Sequence, residues 1–140
     1  MREVYQAIYN KYNTSTGASL RALSSSMYVG TAPADTTGEY IVLTSPAGDT
    51  TRSMDAQSNG ATYDNILIDV HVWSDKANSS NAWQVVEAYK ALYDDVALTT
   101  SGYTTYASER LSPGIELEDI DNEGLEGWQI TIPYRYELGK

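Results

Sequence analysis

Two hydrophobic periods run along this chain. Between residues 3 and 12, Val4, Tyr5, Ile8, Tyr9 and Tyr12 recur at spacings that put them on one side of a helix. The cluster Asn13-Thr14-Ser15-Thr16-Gly17 ends that pattern, because small polar side chains and glycine favour turns. Leu20 and Leu23 then predict a short further helical turn, and Met27-Tyr28-Val29 a brief strand. Glu39-Tyr40-Ile41-Val42-Leu43-Thr44, bounded by Gly38 and Pro46, predicts a strand rich in β-branched residues. Residues 46–64 are small, polar and glycine-containing. A loop that long in a compact domain is expected to be functional or ordered by a partner.

The strongest alternation lies between 65 and 74. Ile66, Ile68, Val70 and Val72 share one face, and Leu67, Asp69, His71 and Trp73 share the other. After the turn 74–78, the stripe Ala82, Val85, Val86, Tyr89, Leu92, Tyr93 and Val96 predicts a helix over about 79–96, with Ser79 or Ser80 as its N-cap. Residues 103–115 alternate but are interrupted by Ser112-Pro113-Gly114, the mark of a bulge or bend. Trp128, Ile130, Ile132, Tyr134 and Tyr136 alternate with polar residues in a last strand. Pro133 cannot donate to a ladder, so this strand is expected at a sheet edge or at a bulge. The expected fold is one α+β domain over residues 1–140: a mainly antiparallel sheet of four to five strands, with two main helices on one face.

Composition narrows the function. At 140 residues the chain suits one core. Nineteen acidic residues against nine basic ones give a net charge of −10. The Lys and Arg residues are scattered singly, which excludes a basic patch for nucleic acid and disfavours an anionic membrane. With no cysteine there is no disulfide, thiolate zinc site or thiol catalysis. No apolar run reaches the ~20 residues of a membrane span, and the N-terminus lacks the apolar core of a signal peptide. The expected setting is a cytoplasm, or a particle assembled there. Twelve tyrosines and no phenylalanine suit surfaces buried on association, or equally a core whose aromatic side chains end at its margins.

Candidate chemistry is sparse. His71 is the only histidine; with Asp69 on the same strand face it could form a base and its orienter, but no Gly-x-Ser-x-Gly elbow supplies a nucleophile. The acids Glu116, Glu118, Asp119, Asp121, Glu123 and Glu126 cluster near one another. Asp119-x-Asp121-x-Glu123-Gly124 opens like a calcium loop, yet position twelve, which should be a bidentate acid, falls on Ile130. An acidic hairpin tip between two strands is the plainer reading. No phosphate-cradling glycine motif appears. No cofactor, metal or catalytic residue is assigned, and the chain is read as a non-enzyme.

The order of elements resembles the tail-terminator, or tail-completion, proteins of long-tailed bacteriophages. The similar parts are the helix Val4-Tyr5-Gln6-Ala7-Ile8-Tyr9, then Met27-Tyr28-Val29-Gly30-Thr31-Ala32-Pro33 leading to Tyr40-Ile41-Val42-Leu43. They continue through Val70-His71-Val72-Trp73-Ser74 into the helix from Ala82 to Leu92, and end with the strand Trp128 to Tyr136. The resemblance spans nearly the whole chain, and the step from Val-x-Val-Trp into a helix is its most telling part. Segments 46–64 and 116–126 match nothing in that family.

The resemblance implies a homo-hexameric ring in the virion tail or neck, assembled in the host cytoplasm. Such a ring caps the tail tube, joins it to the head connector, and passes DNA through a channel without specific binding. An acidic lumen suits that passage, since carboxylates repel phosphates. Candidate lumen or interface loops carry Asp49, Arg52 and Asp55, or Glu116, Glu118, Asp119, Asp121 and Glu123. The competing readings are another head–tail connector or neck protein, a small ligand-binding domain or enzyme using His71 and Asp69, and an adaptor for a basic partner.

Overall fold

The computed structural model describes residues 2–24, 26–34, 36–45, 63–76, 79–98, 104–120 and 126–139. Helix α1 spans Arg2–Tyr12, a 3₁₀ turn Ser15–Gly17, and helix α2 Ala18–Leu23. Strand β1 covers Ser26–Val29, β2 Tyr40–Thr44 and β3 Tyr63–Ser74. Helix α3 covers Ser80–Tyr93, and β4 (Thr104–Arg110), β5 (Ile115–Ile120) and β6 (Glu126–Gly139) follow.

Six strands form one sheet in the order β1-β2-β3-β6-β4, with β5 also against β6. Only β1–β2 is parallel; the other pairs run antiparallel. The class is the α+β arrangement expected, with one more strand than four to five. The extra strand arises because Ser112-Pro113-Gly114 divides the 103–115 stretch into two. β4 ladders with residues 134–139 of β6, and β5 with residues 126–131.

Strand β6 is central, which corrects the edge among its two expected places, an edge or a bulge; Pro133 lies instead where the β4 and β5 ladders break. Pro133 is tolerated there for a local reason. In an antiparallel pair a residue's N–H and C=O point to the same side. The Pro133 carbonyl accepts from the Leu111 amide at 2.9 Å, so its missing N–H would have pointed to the same flank. That flank is where residues 112–114 leave the ladder between β4 and β5. On the other flank Pro133 faces Asp69 in a pair that exchanges no hydrogen bonds.

One sheet face carries the core. Ile41 and Leu43, then Ile66, Ile68, Val70 and Val72, then Ile130, Ile132, Tyr134 and Tyr136 are buried there. Helix α3 lays Val85, Val86, Tyr89 and Tyr93 on it. Helix α1 adds Val4, Ile8 and Tyr12, one residue per helical turn, while Tyr9 stays exposed. Hydroxyls tie the layers: Tyr93 donates to the Ile8 carbonyl at 2.7 Å and Tyr12 to the Ser24 carbonyl at 3.0 Å. Gly17 lets the chain fold back on α1, since a Cβ there would sit 2.2 Å from the Tyr12 carbonyl oxygen.

Helix α3 stops at Tyr93 rather than running to Val96. Asp94 takes an extended conformation and Asp95 a positive φ of 56°, so the helical ladder cannot continue. The Asp94 carboxylate then accepts from Arg110 Nε at 3.0 Å and from the Tyr134 hydroxyl at 2.6 Å, joining the helix end to β4 and β6. Ser79 occupies the N-cap position, but its side chain makes no capping bond.

Candidate functional site

The face of the sheet away from the helices carries the side chains that the sequence singled out. Register places Tyr28 beside Val42, then His71, then Thr131 across β1, β2, β3 and β6; the neighbouring row runs Tyr40, Trp73, Gln129. Tyr40 and Trp73 stack with centroids 6.2 Å apart and planes 8° from parallel, and Tyr28 meets Tyr40 edge-on at 6.3 Å. The connection after β1, from Gly30 to Ala34, stands over these strands. It walls a groove of about 420 Å³ whose floor includes Tyr40, Val42, His71, Trp73 and Gln129.

The chemistry of His71 follows from its partners. Gln129 Nε2 donates to Nδ1 at 2.8 Å, with the Thr131 hydroxyl 2.9 Å from the same nitrogen. The neutral ring therefore carries its proton on Nε2 and donates it to the Thr44 hydroxyl at 2.9 Å. Burial holds the imidazole below the ordinary histidine range, partly opposed by the charge of Asp69. A catalytic relay would need a carboxylate on a protonated Nδ1. Here Nδ1 is an acceptor facing an amide and a hydroxyl, and Asp69 enters only through its charge. The pair weighed as base and orienter in a competing reading is thus not assembled as one. Among the described residues no three acidic or histidine side chains converge as metal ligands.

The acidic candidates separate. Asp49, Arg52, Asp55, Asp121 and Glu123 lie outside the described residues. Glu118 and Asp119 take register positions on β5 opposite Trp128 and Gly127. Glu116 sits opposite Ile130, where its carboxylate accepts from Trp83 Nε1 at 2.9 Å and bonds Ser79. Those bonds lower its pKa, the Ser79 bond first. Glu116 thus ties β5 to the start of α3, a role the sequence did not signal because its partners are more than thirty residues away.

Cations are placed against acceptors of the same chain. Arg110 meets Asp94, Arg135 meets Glu109, Lys90 meets Glu87, and Arg21 reaches the Tyr12 and Thr14 carbonyls. Exposed apolar side chains sit at both margins of the sheet: Val29 on β1, and Leu111 and Ile115 beside the β4–β5 break. Among the described residues no helix is long and apolar enough to cross a membrane.

No family model matches the chain, and no curated protein matches it in sequence. Among solved structures it is similar to a chain in the virion of a native gene transfer agent particle. That likeness has a TM-score of 0.73 at 16% identity and covers 95% of this chain and 92% of that one. A second solved chain, whose name states no role, gives a TM-score of 0.57 at 15% identity over 99% of this chain and 95% of its own. At such identities what is shared is the fold.

Proposed function

We propose, starting from that shared fold, that this chain is a structural protein of a phage-like virion, a ring subunit that ends the tail tube and joins it to the head connector. The observation that carries this reading is the likeness to a gene transfer agent virion chain across nearly the full length of both. The tail-terminator assignment within that class rests on the order of elements, from the N-terminal helix to the step between Trp73 and α3. Three features agree with it. His71 is held in a hydrogen-bond network rather than a relay. Apolar side chains occur at both margins of the sheet, as head-to-tail packing of subunits requires. The net charge of −10 would let DNA slide past without sticking.

The test is the mass of the purified protein over a concentration series, with negative-stain images of the same samples and of mixtures with tail tubes. Annular particles of about six subunits, free or at tube ends, are expected. A protein that stays monomeric and leaves tube ends bare contradicts the ring. Binding to a connector alone would point to a neck protein of the same class.

The lumen is proposed to be lined by acids of the 49–55 segment or of the tip between β5 and β6. Reversing charge at Asp49 and Asp55, or at Asp121 and Glu123, should slow genome passage without blocking ring assembly. Unchanged DNA ejection from both double variants counts against an acidic lumen. One observation favours a second reading: the groove beside His71 and Trp73 is large enough for a small ligand. Under that reading His71→Ala abolishes ligand binding; under the structural reading it changes stability alone.

A further inference from the structure

We propose that the turn between β4 and β5 of one copy docks in the groove on the outer sheet face of the next copy, so that subunits join through two uncharged patches. The inference rests on the ring reading for its partner, and it fills the groove with a neighbour's chain rather than a small molecule. The turn is Leu111-Ser112-Pro113-Gly114-Ile115. Leu111, Pro113 and Ile115 are exposed, while Ser112 and Gly114 between them are half-buried. The segment is fixed from behind. The Leu111 amide donates to the Pro133 carbonyl at 2.9 Å, and Arg110 Nη1 donates to the Ser112 carbonyl at 3.1 Å. A Cβ at Gly114 would stand 3.2 Å from Ile130 and 3.4 Å from Trp83, so the backbone there lies directly on β6 and α3. Three apolar side chains are thus held outward on backbone already in place, which lowers the entropic cost of docking.

The groove is the matching surface. Its floor carries the stacked pair Tyr40 and Trp73, and the connection from Gly30 to Ala34 walls it. Aromatic-lined grooves take extended, proline-containing segments, because the proline ring is apolar and its backbone is already restricted. At about 420 Å³ the groove falls within the size of sites that bury a small ligand, and so has room for the side chains of a short turn. None of its described lining residues is Asp, Glu, Lys or Arg, and the turn from Leu111 to Ile115 holds none either. The charges that flank the turn have partners in their own copy: Arg110 meets Asp94, and Glu116 accepts from Trp83.

Charge and position together select a second copy as the occupant. Copies that each carry a net charge of −10 repel one another, so they can meet closely only where neither surface is charged. A foreign partner drawn by the acids of this chain would find no charge in the groove to hold it. Register runs one row across the outer face, Tyr28, Val42, His71, Thr131 and Ile115, from β1 to β5. The groove includes Val42 and His71, and the turn stands at the far end of the row. Val42 and Ile115 are roughly 14 Å apart at the spacing of neighbouring strands, so a turn fixed to β6 cannot enter its own groove. Two different patches at separate places on one sheet make a head-to-tail contact, which can close a ring; a self-complementary patch would stop at a dimer.

The test places one charge on each patch, Ala34→Arg in the groove wall and Ile115→Arg on the turn. Both positions are exposed, so neither change empties the core. Arginine also lowers the net negative charge, so lost association cannot be assigned to general repulsion. Where the wild type forms annular particles, each variant alone should stay monomeric by mass. An equimolar mixture of the two should give a dimer and stop there, because one intact turn and one intact groove remain between them. Rings from either variant alone, or a mixture that stays monomeric, overturn the contact and leave the ring to another surface. For a wild type that is monomeric in solution, the ¹⁵N-labelled full chain is titrated with the blocked peptide Arg-Leu-Ser-Pro-Gly-Ile-Glu. The Trp73 indole and Gln129 side-chain amide signals should shift and saturate with a Kd of about 1 mM or tighter, and Ala34→Arg should weaken binding by about tenfold or more. The same peptide with Ser in place of Leu, Pro and Ile should move neither signal. No shift at about 5 mM peptide, or equal binding by Ala34→Arg, overturns the contact. Peptide binding by a chain that leaves tube ends bare would sustain the contact and contradict the ring.

Discussion

Tyr89, Tyr93, Tyr134 and Tyr136 fill the part of the core where phenylalanine would be usual, and the chain has no phenylalanine. Tyr89 stacks on Tyr93 at 4.3 Å and meets Tyr134 edge-on at 5.5 Å. Tyrosine enrichment was compatible with association surfaces or with a core whose tyrosines lie at its margins, and these four are core residues but are buried entirely rather than at a margin. Their hydroxyls are not equivalent. Those of Tyr93 and Tyr134 reach the Ile8 carbonyl and Asp94, whereas those of Tyr89 and Tyr136 lie near each other without a well-aligned bond. Tyr134→Phe should therefore destabilise by ~1–2 kcal/mol, since Asp94 loses a partner. Tyr89→Phe should be neutral or stabilising, because it removes a buried unpaired hydroxyl. Equal denaturation midpoint shifts for the two would contradict this difference.

The same cluster sets the alkaline limit. Burial, first among the causes, raises the pKa of all four hydroxyls above the ordinary tyrosine value. The folded state keeps its protons where the unfolded chain loses them, so the contribution of these four groups to stability is constant below about pH 10 and falls as pH rises beyond it. His71 acts at the other end with the opposite sign. Its pKa is lowered by burial, so unfolding takes up a proton as pH falls below the ordinary histidine value near 6.5. Melting temperature should decline there, and His71→Gln should flatten that part of the profile. A His71 titration by NMR at or above the ordinary value would refute the assignment.

At the scale of elements, the helix and strand patterns were legible wherever a period was long enough to repeat. The β3 alternation put Ile66, Ile68, Val70 and Val72 on the buried face, and the α3 stripe marked Val85, Val86, Tyr89 and Tyr93 as they are found. Failures occurred where a long-range contact outweighed a local preference. Pro133 suggested an edge or a bulge, and its lost donor falls at the break between β4 and β5, visible only once three strands are placed together. Helix α3 lost its last turn to the clamp of Asp94 by Arg110 and Tyr134. Gly17 holds the α1–α2 corner in the same way. Gly17→Ala should cost ~2 kcal/mol or more, because the clash is with backbone that cannot rotate away. Chemical denaturation gives that value, and a change under 0.5 kcal/mol would show that the corner can relax.

For the whole molecule, the charge balance matters more than any single site. Several of the described cations are held by acids or carbonyls of the same chain, and the sequence carries nineteen acids against nine bases, a surplus of ten negative charges. The proposed channel uses that surplus for repulsion. That repulsion is screened by salt, with a Debye length of about 8 Å at physiological ionic strength. Annular particles held by the apolar margins of the sheet should persist as salt is raised, read by mass and negative-stain images. Loss of the particles at high salt would assign their cohesion to ion pairs.

The sequence by itself determined what depends on neighbours along the chain: the class of fold, the α3 stripe and most of the α1 stripe, the inward set of each long strand, the net negative charge, and the absence of cysteine chemistry. These follow from side-chain periodicity and from counting charges, which need no partner. Only the tertiary structure decided which strands are central, that Glu116 ties β5 to α3, and that Gln129 and Thr131 set the tautomer of His71. Each of these is a pairing between residues far apart in sequence, and register across a sheet is set by packing of the whole core rather than by any one segment.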